Sequence, residues 1–240
     1  MKTAIVTGGT KGIGKQIVKE LLHRQYFVYT NYANDSLTAE EAKFDFAKIN
    51  DSFEIIKADQ SKKEELYSFI GKIKDKEKKI DCIVCNAGAT LRNNIVNILD
   101  SEWERVMDVV VNSHFYLIRD LYELIPHNSR IIFIGSMMGV FPHGTSLPYG
   151  VAKSALHALA KNLVKVFEGT NTTVNTIIPG FVETEWQKDK PQEIRDNIIS
   201  KTAVKRFAAI DEISNAAMFC LDNAFINGAQ LEINGGYCFK

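Results

Sequence analysis

Apolar positions recur along this chain in two alternating periods. Continuous apolar runs of strand length fall near residues 2–7, 27–31, 53–58, 80–85, 130–135, 173–178 and 229–233. Between most of them the period lengthens to that of a helix. Ile13, Ile17, Val18, Leu21 and Leu22 share one helical face, as do Val151, Ala155, Leu156, Leu159 and Leu163 after Pro148, a residue suited to the first turn of a helix. Strands apolar on both sides, alternating with helices, predict a parallel sheet covered on both faces. No linker, repeat or low-complexity stretch divides the chain, so a single α/β domain over residues 1–240, doubly wound, is expected.

The rhythm breaks between Phe181 and Arg206, after Pro179-Gly180, and residues 181–206 are expected to form a lid over a binding cleft. The stretch 62–79, rich in lysine and glutamate, reads as a solvated helix face. The carboxyl ends of the predicted strands carry a glycine-rich turn, Asn31, Asp59, Asn86 and Ser136. Ligands of open α/β sheets bind at those ends.

Composition narrows the possibilities. The 29 basic and 29 acidic residues cancel, so bulk charge gives no reason to expect a nucleic-acid or acidic-membrane partner. Runs such as Val109–Val111 and Ile131–Ile134 are far too short to span a bilayer. Met1-Lys2-Thr3 leads straight into the first strand without a signal-peptide pattern, and a cytoplasmic location is expected. Cys82 and Cys85 lie in one apolar run, where residues three apart point to opposite faces, so no metal or redox pair is expected. The five histidines are scattered without ligand spacing.

Candidate chemistry begins with Ser136-x12-Tyr149-x3-Lys153. Tyrosine and lysine four apart on a helix share a face. A phenol of ordinary pKa about 10 exchanges protons poorly at neutral pH, and an adjacent ammonium would lower that value. A ketone gaining a hydride develops negative charge on oxygen and needs a proton donor and a second hydrogen-bond donor, roles suited to Tyr149 and Ser136. Upstream, Thr7-Gly8-Gly9-Thr10-Lys11-Gly12-Ile13-Gly14 joins a strand to a helix. Glycines there let backbone approach a pyrophosphate, whose charge then lies at the helix N-terminus.

With these motifs in order, the chain resembles the short-chain dehydrogenase/reductase family from end to end. Thr7 to Gly14 is similar to that family's coenzyme turn, Asn86-Ala87-Gly88 to its post-strand motif, and Ser136, Tyr149 and Lys153 to its catalytic trio. Asn112 is similar to its helix asparagine, which supports a proton path through the lysine. Pro179-Gly180 and the segment from Gly228 to Gly236 resemble later landmarks, and the pattern is most similar to 3-oxoacyl-acyl-carrier-protein reductases. The resemblance implies a Rossmann fold with catalytic Ser136, Tyr149, Lys153 and Asn112. It also implies a dinucleotide site built from Gly8, Thr10, Lys11, Gly12, Ile13 and Gly14, then Asn31, Tyr32 and Ala33, then Asp59 and Gln60. Asn86, Ala87 and Gly88, Tyr149 and Lys153, and Pro179, Gly180, Val182 and Thr184 complete that implied site.

The cofactor expected is NADP(H). An NAD site places a carboxylate at the end of the second strand, where this chain has Asn31-Tyr32-Ala33, and Lys11 adds positive charge to the turn. Asp35 is the contrary residue and reads as part of a loop. Met137, Met138, Phe141, Leu147, Phe181 and Trp186 are expected to form an apolar substrate pocket suited to 3-oxoacyl thioesters or related hydrophobic ketones. An acyl-carrier protein is a candidate partner, although loops 125–129 and 168–172 lack basic residues, leaving Lys188, Lys190, Lys201, Lys205 and Arg206 to attract it. Helices carrying Trp103, Val106, Val110, Phe115 and Leu117 and spanning 149–167 are apolar over wide arcs, and a homotetramer is expected. The alternatives are a general alcohol, steroid or quinone dehydrogenase of the same family and a dinucleotide sensor without chemistry; the retained trio favours an enzyme.

Overall fold

The computed structural model describes residues 1–142, 144 and 146–237. A seven-stranded sheet, all pairings parallel, runs in the order β3-β2-β1-β4-β5-β6-β7. Its strands are β1 (Lys2–Val6), β2 (Tyr26–Tyr32), β3 (Phe53–Lys57), β4 (Cys82–Cys85), β5 (Arg130–Ile134), β6 (Thr173–Pro179) and β7 (Gln230–Ile233). Each lies within two residues of its expected run. The helices are α1 (Gly12–His23), α2 (Ser36–Ala47), α3 (Lys63–Lys76), α4 (Asp100–Met107), α5 (Ser113–Leu121), α6 (Leu147–Val166), α7 (Glu185–Lys188), α8 (Gln192–Lys201) and α9 (Ile210–Asp222).

The strands read as continuous apolar runs because both faces are buried. Along β4, Ile83 and Cys85 pack beneath α3, α5 and α6, while Cys82 and Val84 pack beneath α1, α2 and α9. Along β5, Ile131 and Phe133 join the first core, and Ile132 and Ile134 the second. Cys82 and Cys85 thus sit in different cores, both fully buried, and burial pushes the Cys82 thiol up to about 12. Cys220 is also a buried free thiol, and Cys238 lies outside the described residues. Among the described residues there is no cluster of metal-ligating side chains and no helix long and apolar enough to cross a membrane.

The chain starts in the middle of the sheet, winds outward to β3, and returns to place β4 on the other side of β1. Winding therefore reverses between β1 and β4, where connections from the two strands diverge and leave a crevice. The Thr7 N–H donates to the Val84 carbonyl at 3.0 Å, so the turn after β1 and the turn after β4 open side by side.

The segment after β6 forms α7 and α8, then returns to the sheet. Its two ends are clasped: Val182 bridges Ala208, Glu183 N–H donates to Ala208 at 2.9 Å, and Ala208 N–H donates to Phe181 at 2.9 Å.

Candidate active site

The crevice is a cleft of about 640 Å³ at the carboxyl ends of the strands. Its walls include every residue of the implied dinucleotide site, from Gly8 and Thr10 to Val182 and Thr184, together with Ser136, Tyr149 and Lys153.

One wall is backbone, and the glycines explain why. Gly8 and Gly12 hold φ of 64° and 54°, the left-handed region. A Cβ on Gly14 would lie 2.4 Å from Asn86 Nδ2 and 2.5 Å from the Gly8 carbonyl oxygen, so no larger residue fits. The Asn86 amide fastens this turn by donating to the carbonyls of Thr7 and Gly8 at 2.9 and 3.1 Å. Helix α1 starts at Gly12 without a side-chain cap, so its first-turn N–H groups open toward the cleft. At the far end, both amide atoms of buried Gln60 lack a hydrogen-bond partner. A glycine cradle, an uncapped helix start and an unpartnered amide fit a dinucleotide's pyrophosphate and base.

Several residues expected to touch a ligand also serve the scaffold. Asn31 accepts from Gly8 N–H at 3.0 Å and donates to the Ala58 carbonyl at 2.7 Å, tying the turn to β3's end. Asp59 accepts from the Ser61 N–H and hydroxyl at 3.0 and 2.8 Å; it closes a local turn, and α3 begins later, at Lys63. Asp35, expected as a loop residue, caps α2: its carboxylate accepts from the N–H and hydroxyl of Thr38 and lies 3.8 Å from Lys11 Nζ. Those hydrogen bonds hold the Asp35 pKa below its ordinary value.

Pro148 in the first turn of α6 sets that helix so that Tyr149 and Lys153 face the cleft, both buried. Tyr149 is hydrogen-bonded to Ser136, at the end of β5. Lys153 was expected to lower the pKa of Tyr149. Instead, burial outweighs the Ser136 hydrogen bond and raises the phenol to about 12, while burial lowers the lysine to about 7. The amine donates to the Ile134 carbonyl at 2.5 Å.

Asn112 does not join them. It ends a π-helical segment, Asp108–Asn112, donates its amide to Asp108 at 2.7 Å, and is not among the cleft-lining residues. Of this segment, Val109 lines the cleft.

Two histidines escaped the sequence reading. Thr7 Oγ1 accepts from the N–H groups of Asn86 and Ala87 at 2.9 and 3.0 Å and lies 3.1 Å from His114 Nε2. His114 Nδ1 is 2.9 Å from the Val110 carbonyl, which only accepts, so the proton sits on Nδ1 and Nε2 receives the Thr7 hydroxyl. Burial lowers the His114 pKa to about 4, keeping the ring neutral. His157 continues the Tyr149, Lys153 row by one more turn, a signal readable from spacing, and its Nε2 accepts from Ser136 N–H at 3.3 Å. A Cβ on Gly135 would lie 2.3 Å from that nitrogen.

Met137, Met138, Phe181 and Trp186 line the cleft as expected, whereas Phe141 and Leu147 do not. The Trp186 ring stands edge-on to Tyr149, centroids 6.5 Å apart. Unforeseen are the polar residues Arg92, Arg105, Glu185 and Gln187, which also line it.

Comparison with known proteins agrees with this architecture. The chain is 31% identical to 2-dehydro-3-deoxy-D-gluconate 5-dehydrogenase of Pseudoalteromonas atlantica, covering 98% of this chain and 95% of that protein. It is 29% identical to the 3-oxoacyl-[acyl-carrier-protein] reductase FabG of Escherichia coli, over 98% and 96%. The RhlG/NADP active-site complex from Pseudomonas aeruginosa superposes with a TM-score of 0.88 at 27% identity, over 98% of this chain and 96% of that one. The short chain dehydrogenase family model matches residues 2–195, and the chain belongs to that family of oxidoreductases.

Proposed function

We propose that this protein is an NADPH-dependent reductase that converts a ketone to a secondary alcohol, with 3-oxoacyl thioesters or related ketones as substrates. The carrying observation is that Ser136, Tyr149 and Lys153 line the same cleft as the glycine cradle. A nicotinamide, if bound in this cleft, would supply the hydride. Tyr149, with its pKa raised to about 12, keeps its proton through the neutral range and gives it to the carbonyl oxygen. Ser136 donates the second hydrogen bond to that oxygen as charge develops. Lys153, titrating near 7, restores the proton to the tyrosine.

NADP(H) is favoured because β2 itself ends without a carboxylate and Lys11 lines the cleft; Asp35, three residues beyond β2, also lines it but is engaged by Thr38 and faces Lys11 at 3.8 Å. The NADP bound in the similar RhlG structure supports the same choice. Residues 181–206, clasped at both ends, act as the lid.

Acyl-carrier protein is the less favoured carrier. Arg206 is bound bidentately by Glu212 and Lys188 by Glu185, which leaves less free positive charge in the lid than its composition implied. Exposed Trp103 and Phe115 on α4 and α5, with Val151 and Val166 on α6, are the faces through which copies form a homotetramer. The protein works in the cytoplasm.

The test is NADPH oxidation, followed by absorbance, across 3-oxoacyl thioesters, cyclic ketones, aldehydes, quinones and oxo acids. Turnover of 3-oxoacyl thioesters or apolar ketones above all others is expected. No NADPH oxidation with any carbonyl compound would defeat the proposal.

A further inference from the structure

The mouth of the cleft, beyond Tyr149, holds two cations brought together without a counter-charge. A Cβ on Gly88 would lie 3.6 Å from the Trp186 ring, so the chain after β4 and the chain after β6 face each other at this point. Arg92 follows Gly88 and Lys190 follows Trp186, each by four residues, and both line the cleft. Lys190 is half-buried; burial lowers its pKa first, and repulsion from Arg92 and then Arg195 adds to this.

The neighbouring carboxylates do not relieve them. Glu185 is bound by Lys188 at 2.5 Å and Glu183 by Arg195 at 2.6 Å. Asp189, beside Lys190 in sequence, does not line the cleft, and neither Arg92 nor Lys190 has a carboxylate partner among the described residues. In the same cleft, the buried side-chain amide oxygen Oε1 of Gln187 has no hydrogen-bond partner. Like charges held together are unfavourable in the free protein, and an anion placed between them removes that penalty on binding. The unpartnered amide oxygen then accepts from a hydroxyl or N–H of the same ligand.

We propose that the carbonyl substrate is an anion whose oxygens are held between Arg92 and Lys190. This rests on the reductase reading of the cleft. Two sources offer that chemistry: the carboxylate of an oxo acid, and the phosphate of a thioester's carrier arm.

Four compounds sharing one 3-oxobutanoyl group separate them: acetoacetate, methyl acetoacetate, acetoacetyl-CoA and the acetoacetyl thioester of N-acetylcysteamine. NADPH-dependent kcat and KM are measured for the wild type and for R92A, K190A and K72A. A hydrogen bond to a charged group is worth at least about tenfold, so R92A and K190A should each raise the KM ratio of charged to neutral partner by at least that much. Variant K72A, at an exposed lysine of α3 away from the cleft, should leave the ratio unchanged, and added salt should raise the charged compound's KM. A change confined to the acetoacetate pair identifies the carboxylate; one confined to the thioester pair identifies the phosphate. Ratios unmoved in both pairs would overturn the inference, while turnover of the neutral ketones would leave the reductase standing. If no carbonyl compound is reduced by the wild type, both fall.

Discussion

Lys153 Nζ lies 5.7 Å from the centre of the Tyr149 ring, yet its hydrogen bond goes to the backbone carbonyl of Ile134. The pair is placed by the helix and the strand end, and each group's protonation is set mainly by its own burial. The phenol is thereby held in the form that gives a proton. Tyr149→Phe keeps the ring and its packing against Trp186 while removing that proton. A loss of at least about a hundredfold in kcat is expected, the lower end of what a positioned acid contributes. Near-normal turnover of the variant on the best substrate would exclude Tyr149 as the donor.

The same burial makes stability depend on pH in a signed way. Below about pH 7 Lys153 is charged both folded and unfolded, and the full desolvation cost is present. Between that value and 10.5 the unfolded chain holds more protons, so the lysine's contribution to stability rises with pH. Tyr149 acts oppositely between 10.0 and about 12, where the folded state keeps a proton that the unfolded state has lost. Denaturant melts of the wild type and Lys153→Met, compared from about pH 6 to about pH 9.5, should show the difference moving in favour of the wild type. A flat difference would contradict the buried, depressed lysine.

His114 organises the turn through a single hydroxyl. Thr7→Val removes the acceptor for two backbone N–H groups and the donor to His114, whereas His114→Leu removes one partner only. Unsatisfied buried groups cost about 1–3 kcal/mol each. Thr7→Val should therefore be the more destabilising, and a double-mutant cycle should show positive coupling. Imidazole nitrogen shifts should report a neutral ring protonated at Nδ1 down to about pH 4. A charged His114 at pH 6 would refute the assignment.

Cofactor choice turns on Lys11 and Asp35, an exposed pair 3.8 Å apart. Lys11→Ala should weaken NADPH binding by about tenfold, the lower range for a hydrogen bond to a charged group, and NADH binding little. Asp35→Asn keeps an effective helix cap and removes the charge beside Lys11, so NADPH should bind more tightly without loss of α2. Fluorescence titration measures both, and tighter binding of NADH than NADPH by the wild type would reverse the proposal.

The strands were legible because both faces of the sheet are covered, so apolar residues run without interruption. The glycine turn and the Tyr149, Lys153 pair were legible because their geometry is local. The role of Asn112 came from the resemblance and not from a count of helix faces, and the residue stands where the helix is distorted, at the end of the π-helical segment Asp108–Asn112. His114, Arg92 and Gln187 were invisible because their meaning comes from partners across the fold or from the shape of the cleft. The apolar pocket was overdrawn for the same reason, since hydrophobicity says where a side chain is comfortable and not which cavity it borders.

The clasp between Val182 and Ala208 separates two inheritances within one domain. Everything between those residues leaves and re-enters the sheet through one narrow neck, while the proton-handling wall and the glycine cradle lie outside it. Doubling a flexible loop costs only about 0.6 kcal/mol once its ends are fixed. New residues can therefore be grafted between Glu183 and Phe207 without disturbing the register of β6 or β7. What this protein accepts as substrate can drift while the chemistry it performs stays in place.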